Sequence, residues 1–396
     1  MPMLVKWRSS WTAALAWVCL ACGLAQGANQ PHYLVTNDDL GPVFGTGVGS
    51  YTFYTVGADG GLKLLQQVTT SGGGIAGGFF GTNRVAVLDN GTEQCVYVSE
   101  AYVGDVAGII VSTLEVGGTA FGSDTDSGNT NGIGLVLNDQ YLYAAFTASN
   151  TIGTFQLQPG CSLTFVNDIS VVGLQSGFIE GMAIHGNTLV ATYGDGSIES
   201  FNISGGTPVS NGDIQNSTAA VTSQFATYPT SVEITKDGHY ALFGDTSTST
   251  VVEVSDISSG RLTRTVLYNL GSGINSGNIL LSPDETLLYI SNTQGDKLTA
   301  AFFSPGTGRL STGCASGSLK GYSSHWSYLG SLALQANTGT GNVVYIAEFG
   351  APSTIAVINV TSGNGQCALT EAAYSPVADP NSSGLLSITT FPPRSF

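Results

Sequence analysis

A unit of short apolar runs parted by turn chemistry recurs along most of this chain, and it leaves few folds open. One copy reads "ILLSPDETLLYISNTQGDKLTAAFFSPGTGRLS" (Ile279–Ser311), in which "SPDE", "NTQGD" and "PGTG" separate runs of strand length. "SVEITKDGHYALFGDTSTSTVVEVSDISSGRLTRTVLYNL" (Ser231–Leu270) repeats it turn for turn. Further copies begin at Val85, Gly134, Gly181 and Ser331. Each supplies four strands, A to D. The aligned second strands carry Leu34, Tyr97, Tyr143, Val190, Leu242, Tyr289 and Tyr345, at intervals of 46 to 63 residues. That period fits one four-stranded sheet per step, and such sheets arranged radially make a β-propeller. No copy carries a helical apolar period, which excludes a helical solenoid.

The ends of the repeat region set the blade count. "HYLVTND" near its start is a B strand with no A strand before it. "GLLSITTFPP" at its end is an A strand with no B strand after it. Together they complete a seventh blade. The expected fold is all-β: a seven-bladed propeller closed by the C-terminal strand pairing into the N-terminal blade, with residues 28–396 as one domain. Closure in one sheet leaves no unpaired inner edge.

Residues 1–27 read as an export leader. Lys6 and Arg8 precede an apolar run that is too short to span a bilayer, and small residues follow at "AQG". The expectation is a secreted or periplasmic chain with no transmembrane segment. The alternative is a lipoprotein anchored through Cys22. Two of the 11 Lys and Arg residues lie in that leader and none of the 27 Asp and Glu residues do. A chain this acidic repels phosphate backbones, so nucleic acid is not an expected partner. A small polar molecule or a cell-envelope component is, and the protein is expected to be a monomer. Cys95, Cys161, Cys314 and Cys367 follow the leader, an even count that favours disulfides. Their positions in the blades predict Cys95–Cys161 and Cys314–Cys367.

The phrases "LSPDETLLYISNTQGDKLTAAFFSPGTGRLS" and "ITKDGHYALFGDTSTSTVVEVSDISSGRLT" resemble the repeat of the lactonase-like seven-bladed propellers. That family includes 6-phosphogluconolactonase and carboxymuconate-lactonizing enzymes, and it shades into YVTN-type surface propellers. The resemblance implies the fold more strongly than the activity. Enzymes of the family commonly carry a Pro-Arg-His triplet leading into an inner strand. Here "YPTSVEI" keeps Pro229 but has Thr230 and Ser231 in place of Arg and His.

The B–C and D–A loops of a propeller open on one face, around the channel mouth. The B strands are expected to end at Asn37, Glu100, Phe146, Tyr193, Asp245, Asn292 and Glu348. Glu100, Asp245 and Glu348 are the candidate acids or bases. Arg84, Asn37, Asn292, His325 and Trp326 are candidate ligand contacts, with Arg84 expected to face Glu100. "GGGIAG" (Gly72–Gly77) opens no helix and is read as a link between blades. "DTDSGNTNG" (Asp124–Gly132) alternates oxygen ligands but lacks the closing Glu of a calcium loop, so no metal is assigned. No cofactor is expected. The leading functional reading is an exported binding propeller. A lactone hydrolase acting on a small acidic lactone and a structural envelope propeller are the alternatives.

Overall fold

The computed structural model describes residues 32–38, 49–70, 85–100, 104–122, 132–147, 149–216, 229–245, 249–272, 276–292, 295–322, 329–335, 343–350, 352–382, 384–385 and 387–393. The leader, Cys22, Gly72–Gly77, Arg84, His325 and Trp326 lie outside them, as does the calcium-like loop except its last residue. So do the side chains of Asp245 and Asn292.

Seven antiparallel sheets follow one another, as the repeat predicts. The A and B strands are Val85–Asp89 and Gln94–Glu100 in blade 2, Gly132–Leu137 and Tyr141–Phe146 in blade 3, and Ile179–His185 and Thr188–Tyr193 in blade 4. They are Pro229–Ile234 and Tyr240–Asp245 in blade 5, Ser276–Leu281 and Leu287–Asn292 in blade 6, and Leu329–Leu334 and Val343–Glu348 in blade 7. Blade 1 takes its A strand, Ile388–Phe391, from the far end of the chain and pairs it with Tyr33–Asn37. Among the described residues no helix is long and apolar enough to cross a membrane.

The residues that mark the repeat are the core. Leu34, Tyr97, Tyr143, Val190, Leu242, Tyr289 and Tyr345 are all 0% exposed, so the period in the sequence is the period of burial. Four of them are Tyr, and a buried phenol needs a partner. The Tyr143 hydroxyl of blade 3 donates to Gly206 O in the next blade at 2.7 Å. Tyr345 of blade 7 donates to Gly60 O of blade 1 at 2.9 Å. The hydroxyls of Tyr97 and Tyr289 have no hydrogen-bond partner among the described residues. Their two seams are the ones that carry disulfides. Cys95–Cys161 joins blades 2 and 3, and Cys314–Cys367 joins the outer strands of blades 6 and 7, both pairings as the sequence predicts. At the first seam the backbones touch: a Cβ on Gly108 would lie 1.8 Å from Cys161 O. Each crosslink closes a loop of more than fifty residues, worth about 4 kcal/mol in the chain-entropy account.

Candidate functional site

All seven B strands end at the expected residues. Their ends define one face, which the first residues of the A strands share. On the inner strands of blades 3 to 7 the first pairing step is irregular. In blade 4 Ile179 pairs with Tyr193 and Gly181 with Thr192, so Glu180 is the extra residue. In blade 5 Pro229 pairs with Asp245 and Ser231 with Gly244, so Thr230 is extra. A bulge leaves one residue out of the ladder and re-aims it. Five neighbouring blades therefore present an out-of-ladder position at the channel mouth.

Glu180 is the acid that the sequence reading missed. It keeps part of its surface accessible, yet the protein packed around its carboxyl pushes its pKa up to about 7. In blade 4, Ile179–Glu180–Gly181 occupies the same three places as Pro229–Thr230–Ser231 in blade 5. The loop before it is held firmly. Asp195, in the B–C turn, accepts from the amides of Gln175 (2.6 Å), Gly177 (3.0 Å) and Ser197 (2.9 Å). Against the opposing effect of burial, the Ser197 hydroxyl, which donates to Oδ1, and these amides hold the Asp195 carboxyl below its usual range. Leu174 and Phe178 of this loop are about half exposed.

Glu348 is buried, at 2% exposure. Thr354 Oγ1 donates to its Oε2, while its Oε1 accepts no hydrogen bond from the described residues. Gly321 brings the link between blades 6 and 7 over this carboxyl, where a side chain in its place would push the Glu348 and Thr354 side chains aside. Burial pushes its pKa up to about 7, helped by the charge of Glu371 and opposed by Thr354. Glu100 is also buried and stands opposite Asp105 on the next strand. Burial pushes the Asp105 carboxyl up by more than its contact with Glu100 brings it down.

Asn37 serves the ring closure. Its Oδ1 accepts from Ser387 N at 3.2 Å, and its own amide donates to Ser387 O. Beside it Asp38 and Asp379 share the Thr36 hydroxyl, at 3.2 and 2.9 Å. Burial and the nearby Asp379 charge push Asp38 up to about 7, against hydrogen bonds from Thr52, Ser50 and Gln67. Ser231, in the place of the family's His, accepts from Ile279 N of the next blade at 3.0 Å. Its hydroxyl is a stitch between inner strands. Among the described residues no group of three or more His, Cys, Asp or Glu side chains is placed to hold a metal ion.

Residues 123–380 match the family described as Lactonase, 7-bladed beta-propeller, which is well over half of the chain. The chain belongs to this family. Among solved structures, this lactonase-family propeller is similar to the periplasmic gluconolactonase of Pseudomonas aeruginosa, with 15% identity and a TM-score of 0.66 over 91% of this chain and 99% of that one. It is similar as well to a protein assigned as a 6-phosphogluconolactonase from Bacteroides fragilis, with 16% identity and a TM-score of 0.66 over 91% and 98% of the two chains. At these identities the likeness is one of fold. No protein among the curated sequences matches it.

Proposed function

We propose that this propeller is an exported hydrolase of a small, uncharged sugar lactone, acting at the carboxyl-bearing channel mouth. The observation that carries the reading is Glu180. It is set out of the ladder at the mouth, partly accessible, with its pKa raised to about 7. A carboxyl near neutrality serves both halves of lactone opening. As the base it takes a proton from the water that attacks the carbonyl carbon. The ring C–O bond then breaks, and the protonated carboxyl returns that proton to the ring oxygen. Lactone and water become one hydroxy acid, and Glu180 is regenerated. Family membership supports the reaction class, and the two disulfides are compatible with an oxidising compartment.

An uncharged substrate suits the face better than a phosphorylated one. Among the described residues it gathers acids from blades 1, 2, 4, 6 and 7: Asp38, Glu100, Asp105, Glu180, Asp195, Asp296, Glu348 and Asp379. Two lysines stand on the same side among the described residues: Lys297 is exposed in the B–C loop of blade 6, and the Lys320 ammonium is taken up by the carbonyls of Ala372 and Ser375. An ionised carboxylate such as Asp195, which its hydrogen bonds hold below the usual carboxylate range, repels a phosphate, and like charges brought together cost several kcal/mol, so turnover of D-glucono-δ-lactone should exceed that of its 6-phosphate by at least ~10-fold in kcat/KM. Acid release in a pH-stat measures both. Preference for the phosphate, or no turnover of either, would overturn the proposal. Binding without turnover is the second reading. It draws on Ser231, whose Oγ accepts from Ile279 N where enzymes of the family carry His.

A further inference from the structure

The central channel holds a second feature, away from the mouth. Seven inner-strand positions are equivalent by register, each paired with the buried marker residue of its own B strand. Six are Ala86, Val136, Ala183, Leu280, Ala333 and Thr390, and the seventh is Glu233. All seven line one cavity of about 270 Å³ that is not sealed from solvent. It extends toward the A–B turn ends of the strands, past Leu137, Ile184 and Leu334. Glu233 also borders a smaller space of about 40 Å³ that reaches Ser231, Asn278 and Ser331 toward the mouth. The larger cavity is thus a sleeve of mainly aliphatic side chains, with Thr389 and Thr390 among them and one carboxylate at its waist.

Glu233 is the one acid among these seven positions and is partly accessible in a cavity open to solvent, where its charge complements a cation. Six small or aliphatic residues at the equivalent places show that the fold does not require an acid there. Glu233 has a contact of its own within the chain, and a guest would join or displace it. A cavity of about 150 Å³ holds benzene, so this one has room for a ring and a few atoms more. We infer that the channel waist binds a small organic cation with an apolar body, its ammonium on Glu233 and its hydrocarbon along the aliphatic sleeve. The site is separate from the lactone site and does not depend on that proposal.

The probes are benzylammonium chloride and the neutral, near-isosteric benzyl alcohol, titrated by calorimetry at constant ionic strength. The expected result is saturable binding of benzylammonium at least ~5-fold tighter than the alcohol, the added strength of a charge-assisted contact. Glu233→Gln should abolish that preference. Ala183→Phe and, as a milder filling of the waist, Ala333→Leu should remove binding of both probes in protein that keeps its wild-type circular dichroism. An acidic protein attracts cations over its whole surface. Binding that survives Glu233→Gln or both filled variants therefore overturns the site, as does the absence of saturable binding to wild type. Lactone turnover, measured on the same samples, should be unchanged in Glu233→Gln.

Discussion

A chain ending before Ser387 should melt at least ~10 °C below the full-length protein, or fail to fold. The lost segment supplies the inner strand of blade 1, where Tyr33 pairs with Phe391, Leu34 with Thr390 and Thr36 with Ile388. Phe391 and Ile388 are fully buried, and burial of such side chains stabilises by about 2–3 kcal/mol each. Two stitches go with them. Ser387 holds Asn37, and Ser331 Oγ accepts from Ile388 N at 2.7 Å, tying blade 7 to blade 1. Without the strand, the Tyr33–Asn37 ladder groups face an open edge. Phe391→Ala, which keeps the backbone ladder, should cost about 3–5 kcal/mol. Differential scanning calorimetry reads both. A truncated chain melting with the full one would refute closure through the ends.

The second large effect is on pH. Asp38 is raised from 3.8 to about 7, and Glu180 and Glu348 from 4.5 to about 7. A carboxyl whose folded pKa is raised stays protonated in the fold while the unfolded chain ionises. Its stabilising contribution is therefore complete below the unfolded pKa and is lost as pH rises to about 7. Asp195, Asp237, Asp256 and Asp284 shift the other way, and their contribution is lost only as pH falls below the usual carboxylate range. Stability should peak near pH 5, with Tm at pH 5 exceeding that at pH 8 by at least ~5 °C. Asp38→Asn and Glu348→Gln should each flatten this slope. A Tm that rises between pH 5 and 8 would contradict the burial of these acids as neutral groups.

The B-strand ends and both disulfides were legible in the sequence because turn chemistry marks where each strand stops. Glu100 and Glu348 could be placed on the right face for that reason. Their surroundings could not. Asp105 opposes Glu100 only through strand pairing, and Gly321 covers Glu348 from a link between blades. Asn37 looked like a ligand contact, and its amide oxygen is spent on Ser387, some 350 residues away in the chain. Glu180 shows the limit most plainly. In "FIEGMAIHG" it is a single acid at a strand start, and nothing local shows that the strand skips a pairing there. The bulge depends on the register between strands, which a linear pattern does not carry. The expected pair of Arg84 with Glu100, and the roles of Asp245, Asn292, His325 and Trp326, rest on residues or side chains outside the described ones.

The most direct measurement is the pH dependence of kcat/KM for D-glucono-δ-lactone, corrected for spontaneous opening, in wild type and Glu180→Gln. The account expects a wild-type rate that rises through an apparent pKa near 7, as a general base of that pKa requires. It expects Glu180→Gln to lose at least ~100-fold and the pH inflection together, with an unchanged fold and lactone still bound. A variant that turns over lactone at the wild-type rate, or keeps the same inflection, would contradict a lactonase working through Glu180 at the channel mouth.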